Sequence, residues 1–266
     1  MATKTRPAKK PAFKNTKAAQ SAARQGKTDA AMAALLEFAN KGDAAAAASL
    51  AELYAFKGDW DQVLVHVQPL IAKPDAVYAG NVVQGMLGLV WRAADETQRW
   101  TDATSIVRKL PKSVAGFVTI LSGSLKPYLA SKGKGKLPRV KDAHFTEKKL
   151  REVYERNAAN ARATKDAKLL FLSARSAAPM FDDETIASFP GARKHLDFDQ
   201  TLDASRAFSR KGRLEDAWKA IAPKVSEWRA VDHAQIAPVE LLYDPDLRAL
   251  MTPKRCATVL ATARED

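Results

Sequence analysis

The sequence predicts an all-α fold in which antiparallel helical hairpins stack as an α-solenoid, with a non-repeat middle segment and a C-terminal capping helix. Three observations predict it. Alanine is abundant and β-branched runs are few, which favours helix because alanine gives up the least side-chain freedom there. One helix–turn–helix phrase, clearest as Gly58-Asp59-Trp60-Asp61-Gln62-Val63, returns near residues 26, 98 and 212. Amphipathic stretches lie on both sides of each copy. At 266 residues the chain is long enough for one elongated domain or two small ones.

The elements follow in order. Residues 1–28 carry eight basic side chains, from Lys4 to Lys27, and no acid, so the rest of the chain holds only +5 of the net +13. Pro7 and Pro11 oppose helix before about residue 15, and residues 1–16 are expected to be a basic, disordered tail. Residues 17–110 hold the first hairpins. In the best copy Gly58 suits the residue just past a helix end, where φ is often positive. Asp59 can cap the next helix, Asp61 sits in its first turn, and Trp60 is an apolar anchor between the two helices.

Residues 111–145 form a Pro/Gly/Lys-rich connector: Pro111, Pro127 and Pro138 interrupt it, and Gly133-Lys134-Gly135-Lys136 reads as a basic loop. Residues 146–266 return to helix. Thr146 is a candidate cap, Leu169–Leu172 an expected buried patch, and Pro179–Gly191 a loop-like connector. A last hairpin starts at Asp197, and a final helix starts near Thr252-Pro253, a cap and first turn. That last helix is expected to cover the open apolar end of the stack.

These hairpins resemble the tetratricopeptide repeat, a helix–turn–helix unit with a small-residue, aromatic and alanine signature. In the best copy Leu50 and Ala51 match its leucine and small residue, and Tyr54 and Gly58 its aromatic and its turn. Val63, Val67 and Leu70 take second-helix positions, and Pro74 falls one residue before the closing proline. The last copy keeps Ser205, Phe208, Gly212, Ala217 and Ile221 but departs at Lys224. The first keeps Ala19, Ala22, Gly26, Ala31, Leu35 and Phe38. The third replaces the small residue by Trp91, the aromatic by Ala94 and the glycine by Gln98. The copies are spaced by 32, 40 and 114 residues, and the resemblance covers roughly half the chain.

The resemblance implies a concave groove lined by the first helix of each unit. In its register the groove positions carry Gln20, Arg24, Glu52, Phe56, Arg92, Glu96, Arg206 and Arg210. Arginines there suit an acidic protein or peptide, since the guanidinium makes forked, charge-assisted bonds. The family's Lys/Asn carboxylate clamp is not reproduced, so chaperone-tail binding is not implied.

Catalytic patterns are lacking. The histidines, His66, His144, His195 and His233, are scattered without metal-ligand spacing. Cys256 reads as a buried packing residue. Neither a Gly-x-Ser-x-Gly elbow nor a phosphate loop occurs. The acids at Asp182-Asp183-Glu184 and Asp244-Pro245-Asp246 read as helix caps. The expectation is a non-catalytic module without cofactor or metal. A single cysteine excludes an internal disulfide framework. The most apolar windows, Val82–Trp91 and Gly116–Leu125, are about half the length of a membrane span, and no secretory signal opens the chain. A cytoplasmic location without membrane partners follows as an expectation. The function expected is protein–protein interaction, as scaffold or adaptor. Two alternatives are a cytoplasmic immunity protein that neutralises a bacterial toxin and a nucleic-acid-associated protein using the basic tail.

Overall fold

The computed structural model describes residues 13–72, 80–109, 147–166 and 196–264, and among these it is all-helical, without a strand. Residues 1–12, the 132–136 loop, the 169–172 patch and the 179–191 connector lie outside the described residues.

Six helices form the N-terminal part: α1 (Thr16–Arg24), α2 (Thr28–Asn40), α3 (Ala44–Lys57), α4 (Trp60–Ala72), α5 (Gly80–Thr97) and α6 (Trp100–Arg108). Helix α1 starts where the Asn15 side chain accepts a bond from the Ala18 N–H. Helix α3 is the centre. Its residues from Ala44 to Leu53 are all buried, as expected of a helix apolar on every side. It packs against α1, α2, α4 and α5, and the small side chains of Ala44–Ala48 let those neighbours approach. Asp43 caps its start, and Gly58 ends it with φ of 77°.

The four aligned turns share one backbone state. Gly26, Gly58 and Gly212 have φ of 83°, 77° and 75°, and Gln98, without glycine's freedom, has 58°. After Gly58 the Asp59 N–H closes back on the Tyr54 carbonyl, five residues earlier, the bond of a Schellman-type helix end. The same closure follows Gly42 between α2 and α3, from the Asp43 N–H to the Phe38 carbonyl, a turn the sequence alignment did not contain.

Helix α7 (Glu147–Ala163) ends in a left-handed turn at Lys165, with φ of 54°. The C-terminal part begins with α8 (Phe198–Arg210) and α9 (Leu214–Ile221), which pair as a hairpin. Asp197 starts α8 with a reciprocal capping box to Gln200. A 3-10 helix (Ala222–Glu227) follows, then an irregular stretch at 228–239. The chain closes with α10 (Glu240–Tyr243), a 3-10 turn (Arg248–Leu250) and α11 (Pro253–Ala261), capped by Thr252 with proline at the first helical position.

One expectation is corrected. The C-terminal helix does not sit on the open end of the stack. It packs against α3, and the Ala261 carbonyl lies where a side chain on Gly26 would stand, 2.7 Å from that Cβ position. The reason is chemical: α1 and α3 present buried polar groups, and the segment that follows α9 satisfies most of them. Upstream, α10 lies against α5. A Cβ on Gly85 would fall 3.1 Å from Val239, and one on Gly88 only 2.4 Å from the Tyr243 ring. Two glycines inside one helix cost stability, and this close approach is what they permit. Gly88→Ala should therefore destabilise by about 1–3 kcal/mol as Tyr243 is forced aside, read as a lower midpoint in urea unfolding.

Candidate functional site

The eight predicted groove residues fall into three groups. Gln20, Arg24 and Glu52 are buried together on the facing sides of α1 and α3. The Gln20 amide donates to Ser49 Oγ at 2.9 Å, and Ser49 Oγ donates to the Ala234 carbonyl at 2.7 Å. Arg24 Nη1 donates to the carbonyls of His233 and Gln235 at 3.0 and 3.1 Å. Glu52 Oε2 accepts from the N–H groups of Ile236 and Ala237 at 2.7 and 3.1 Å. The face expected to receive a partner is thus filled by the chain's own residues 233–237, the correction with the largest consequence for function.

Burial pushes the Glu52 carboxyl up to about 8, against the pull of the two N–H bonds, and Glu240 adds repulsion. At neutral pH Glu52 is mostly protonated. Arg264 is also buried beside this cluster. Burial lowers it to about 10, with Glu52 opposing and Arg24 adding to the shift, and it stays charged. Its main-chain N–H donates to the Arg24 carbonyl at 2.9 Å, closing the segment over α1.

The second group lines a cleft. Phe56, Arg92 and Glu96 meet Trp60, Met251 and Cys256 around a space of about 750 Å³, at the C-terminal end of α3 between α5 and α11. The floor is apolar and Phe56 is buried. Trp60, the expected wedge, is only half-buried, and the Arg92 guanidinium lies 5.7 Å from its ring centre. Arg92 also pairs with Glu96, and Arg248 pairs with Asp95 at 3.0 Å on the same rim. Burial raises the Cys256 thiol to about 11, with Arg92 pulling the other way, so it remains a neutral thiol at physiological pH.

The third group holds the last hairpin to the C-terminal segment. Arg206 bridges Asp203 and Asp244 at 2.6 and 2.7 Å, and Arg210 pairs with Asp246 at 2.6 Å. Asp244 and Asp246 are acids read in the sequence as helix caps. Arg255 returns the contact from α11, pairing with Glu215 and lying over the Trp218 ring.

His66 stacks on Tyr54 with ring centres 5.2 Å apart, and burial lowers its pKa despite nearby Asp59. Among the described residues no group of three or more His, Cys, Asp or Glu side chains is placed to hold a metal ion. None of their helices is long and apolar enough to cross a membrane.

Sequence reading missed Ser49 and the 233–237 segment. A signal existed: Ser49 and Glu52 stand three apart in the otherwise apolar run from Ala44 to Phe56, and polar groups on a buried helix need partners. In comparisons with known proteins, no family model, no curated protein and no solved structure matches the chain.

Proposed function

We propose that the chain is a non-catalytic protein-interaction module, a scaffold or adaptor built on a superhelix of tetratricopeptide-like hairpins, and that it receives an acidic segment of a partner protein at the cleft between α3, α5 and α11. The cleft carries this reading. Its apolar floor of Phe56, Trp60 and Met251 suits a buried anchor side chain, and Arg92, Arg248 and Lys57 stand around it, each paired with an acid of this chain, Glu96, Asp95 and Asp29, that a partner's acid would replace. Arginine above an apolar pocket is the composition of an interface hot spot. Its thiol, held near 11, is a packing group at neutral pH rather than a nucleophile.

Capture of partners on the immobilised chain, quantified by mass spectrometry, tests the proposal. Wild type should enrich one stoichiometric protein. Met251→Glu, which puts a charge on the cleft floor, should deplete it roughly tenfold, a loss of about 1.4 kcal/mol, with unchanged melting. A wild-type chain that enriches no stoichiometric protein, or equal enrichment by both, overturns it.

A further inference from the structure

We infer that the face formed by α1 and α3 is a peptide-backbone binding groove, closed in this chain by its own residues 233–237, and that it accepts in trans a turn-bearing segment with small residues at the Ala234 and Ala237 positions and an aliphatic one at the Ile236 position. Five consecutive residues each give one main-chain group to this face: the carbonyls of His233, Ala234 and Gln235, and the N–H groups of Ile236 and Ala237. The groove side chains Arg24, Ser49 and Glu52 therefore read a main chain. Selectivity comes from the space allowed to Ala234, Ile236 and Ala237, none more than 1% exposed.

The present occupant is an imperfect match. Gln20 Oε1, Glu52 Oε1 and Arg264 Nε are buried without a hydrogen-bond partner, on side chains no more than 3% exposed. Orphaned polar atoms of this kind weaken a contact. The stretch 228–239 also forms no helix or strand; its internal bonds are local ones around Asp232 and Gln235, and what holds it down is the burial of Ala234, Ile236 and Ala237 in the core. Covalent connection compensates, because a tethered segment competes at high effective concentration. A free segment in excess over that effective concentration can displace it. The inference concerns the α1–α3 face and does not depend on the cleft.

The test uses the full chain and a synthetic peptide of residues 230–239, with residue-resolved amide exchange as readout. Peptide in large excess should speed exchange of the Ile236 and Ala237 amides roughly tenfold as the occupied population shifts, while α3 amides stay protected. The same peptide N-methylated at those two positions cannot donate to Glu52 and should have no effect. No change with the unmodified peptide, an equal effect from the methylated one, or loss of protection throughout α3 would each overturn the inference. Ile236→Ser in the chain should raise peptide affinity about tenfold by weakening the internal competitor, and unchanged affinity in the folded variant counts against it. Should that variant not fold, the wild-type exchange result decides alone.

Discussion

Glu52→Ala lowers stability by roughly 2–5 kcal/mol at pH about 6, because it leaves two buried main-chain donors unpaired. Those donors are the N–H groups of Ile236 and Ala237, which both end on Glu52 Oε2. The penalty shrinks as pH rises. The ordinary value of this carboxyl is 4.5, and in the folded chain burial raises it to about 8. Between those values the folded state keeps a proton that the unfolded chain has released. The stability so conferred is fully present below about 4.5 and is lost as pH rises to about 8. Glu240, raised to about 7 by burial, acts in the same direction over a narrower window. Wild type should therefore lose stability steadily from acid to mildly alkaline pH, by on the order of 4 kcal/mol for the Glu52 share. Glu52→Gln keeps a neutral acceptor, and above pH about 7, the folded-state midpoint of Glu240, its curve should fall less steeply than that of wild type. Urea unfolding across this range checks both statements. A Glu52→Gln curve parallel to wild type above pH 7 would contradict the buried, protonated carboxyl.

Gly26→Ala should cost about 2–5 kcal/mol, several times Gly58→Ala at about 1–2 kcal/mol, although both sites have the same backbone conformation. The φ values are 83° and 77°, so the left-handed penalty is shared. The surroundings differ. A Cβ at Gly58 meets nothing within 4 Å, whereas one at Gly26 stands 2.7 Å from the backbone carbonyl of Ala261. Backbone cannot rotate away as a flexible side chain can, so α11 must shift. The difference between the two variants isolates the contact of the C-terminal helix with the first hairpin. Equal melting temperatures for the pair would show that this contact contributes nothing.

Much of the local structure was legible. Asn15, Asp43, Asp59, Asp197 and Thr252 all cap helices with their own side chains, and capping is a decision made within four residues. The left-handed turns were equally local, and Gln98 was found by alignment even without glycine. The candidate site was not legible in the same way. Helical register put Gln20, Arg24 and Glu52 on one face, and they lie together between α1 and α3 while Phe56 lines the cleft, but register cannot say what covers a face. The bonds that cover it join residues 184 to 211 positions apart in the chain, and no periodicity reports such a pairing.

The sequence by itself determined that the chain is helical, where several of its helices start, and four of its left-handed turns. Those outcomes rest on short-range sterics and on caps that each helix carries with it. Only the tertiary structure decided what the polar face of α1 and α3 does. Four buried polar side chains there, Gln20, Arg24, Ser49 and Glu52, had to find hydrogen-bond partners or pay their desolvation. The main chain at 233–237 met most of that need, and so the groove closed on the protein's own C-terminal segment.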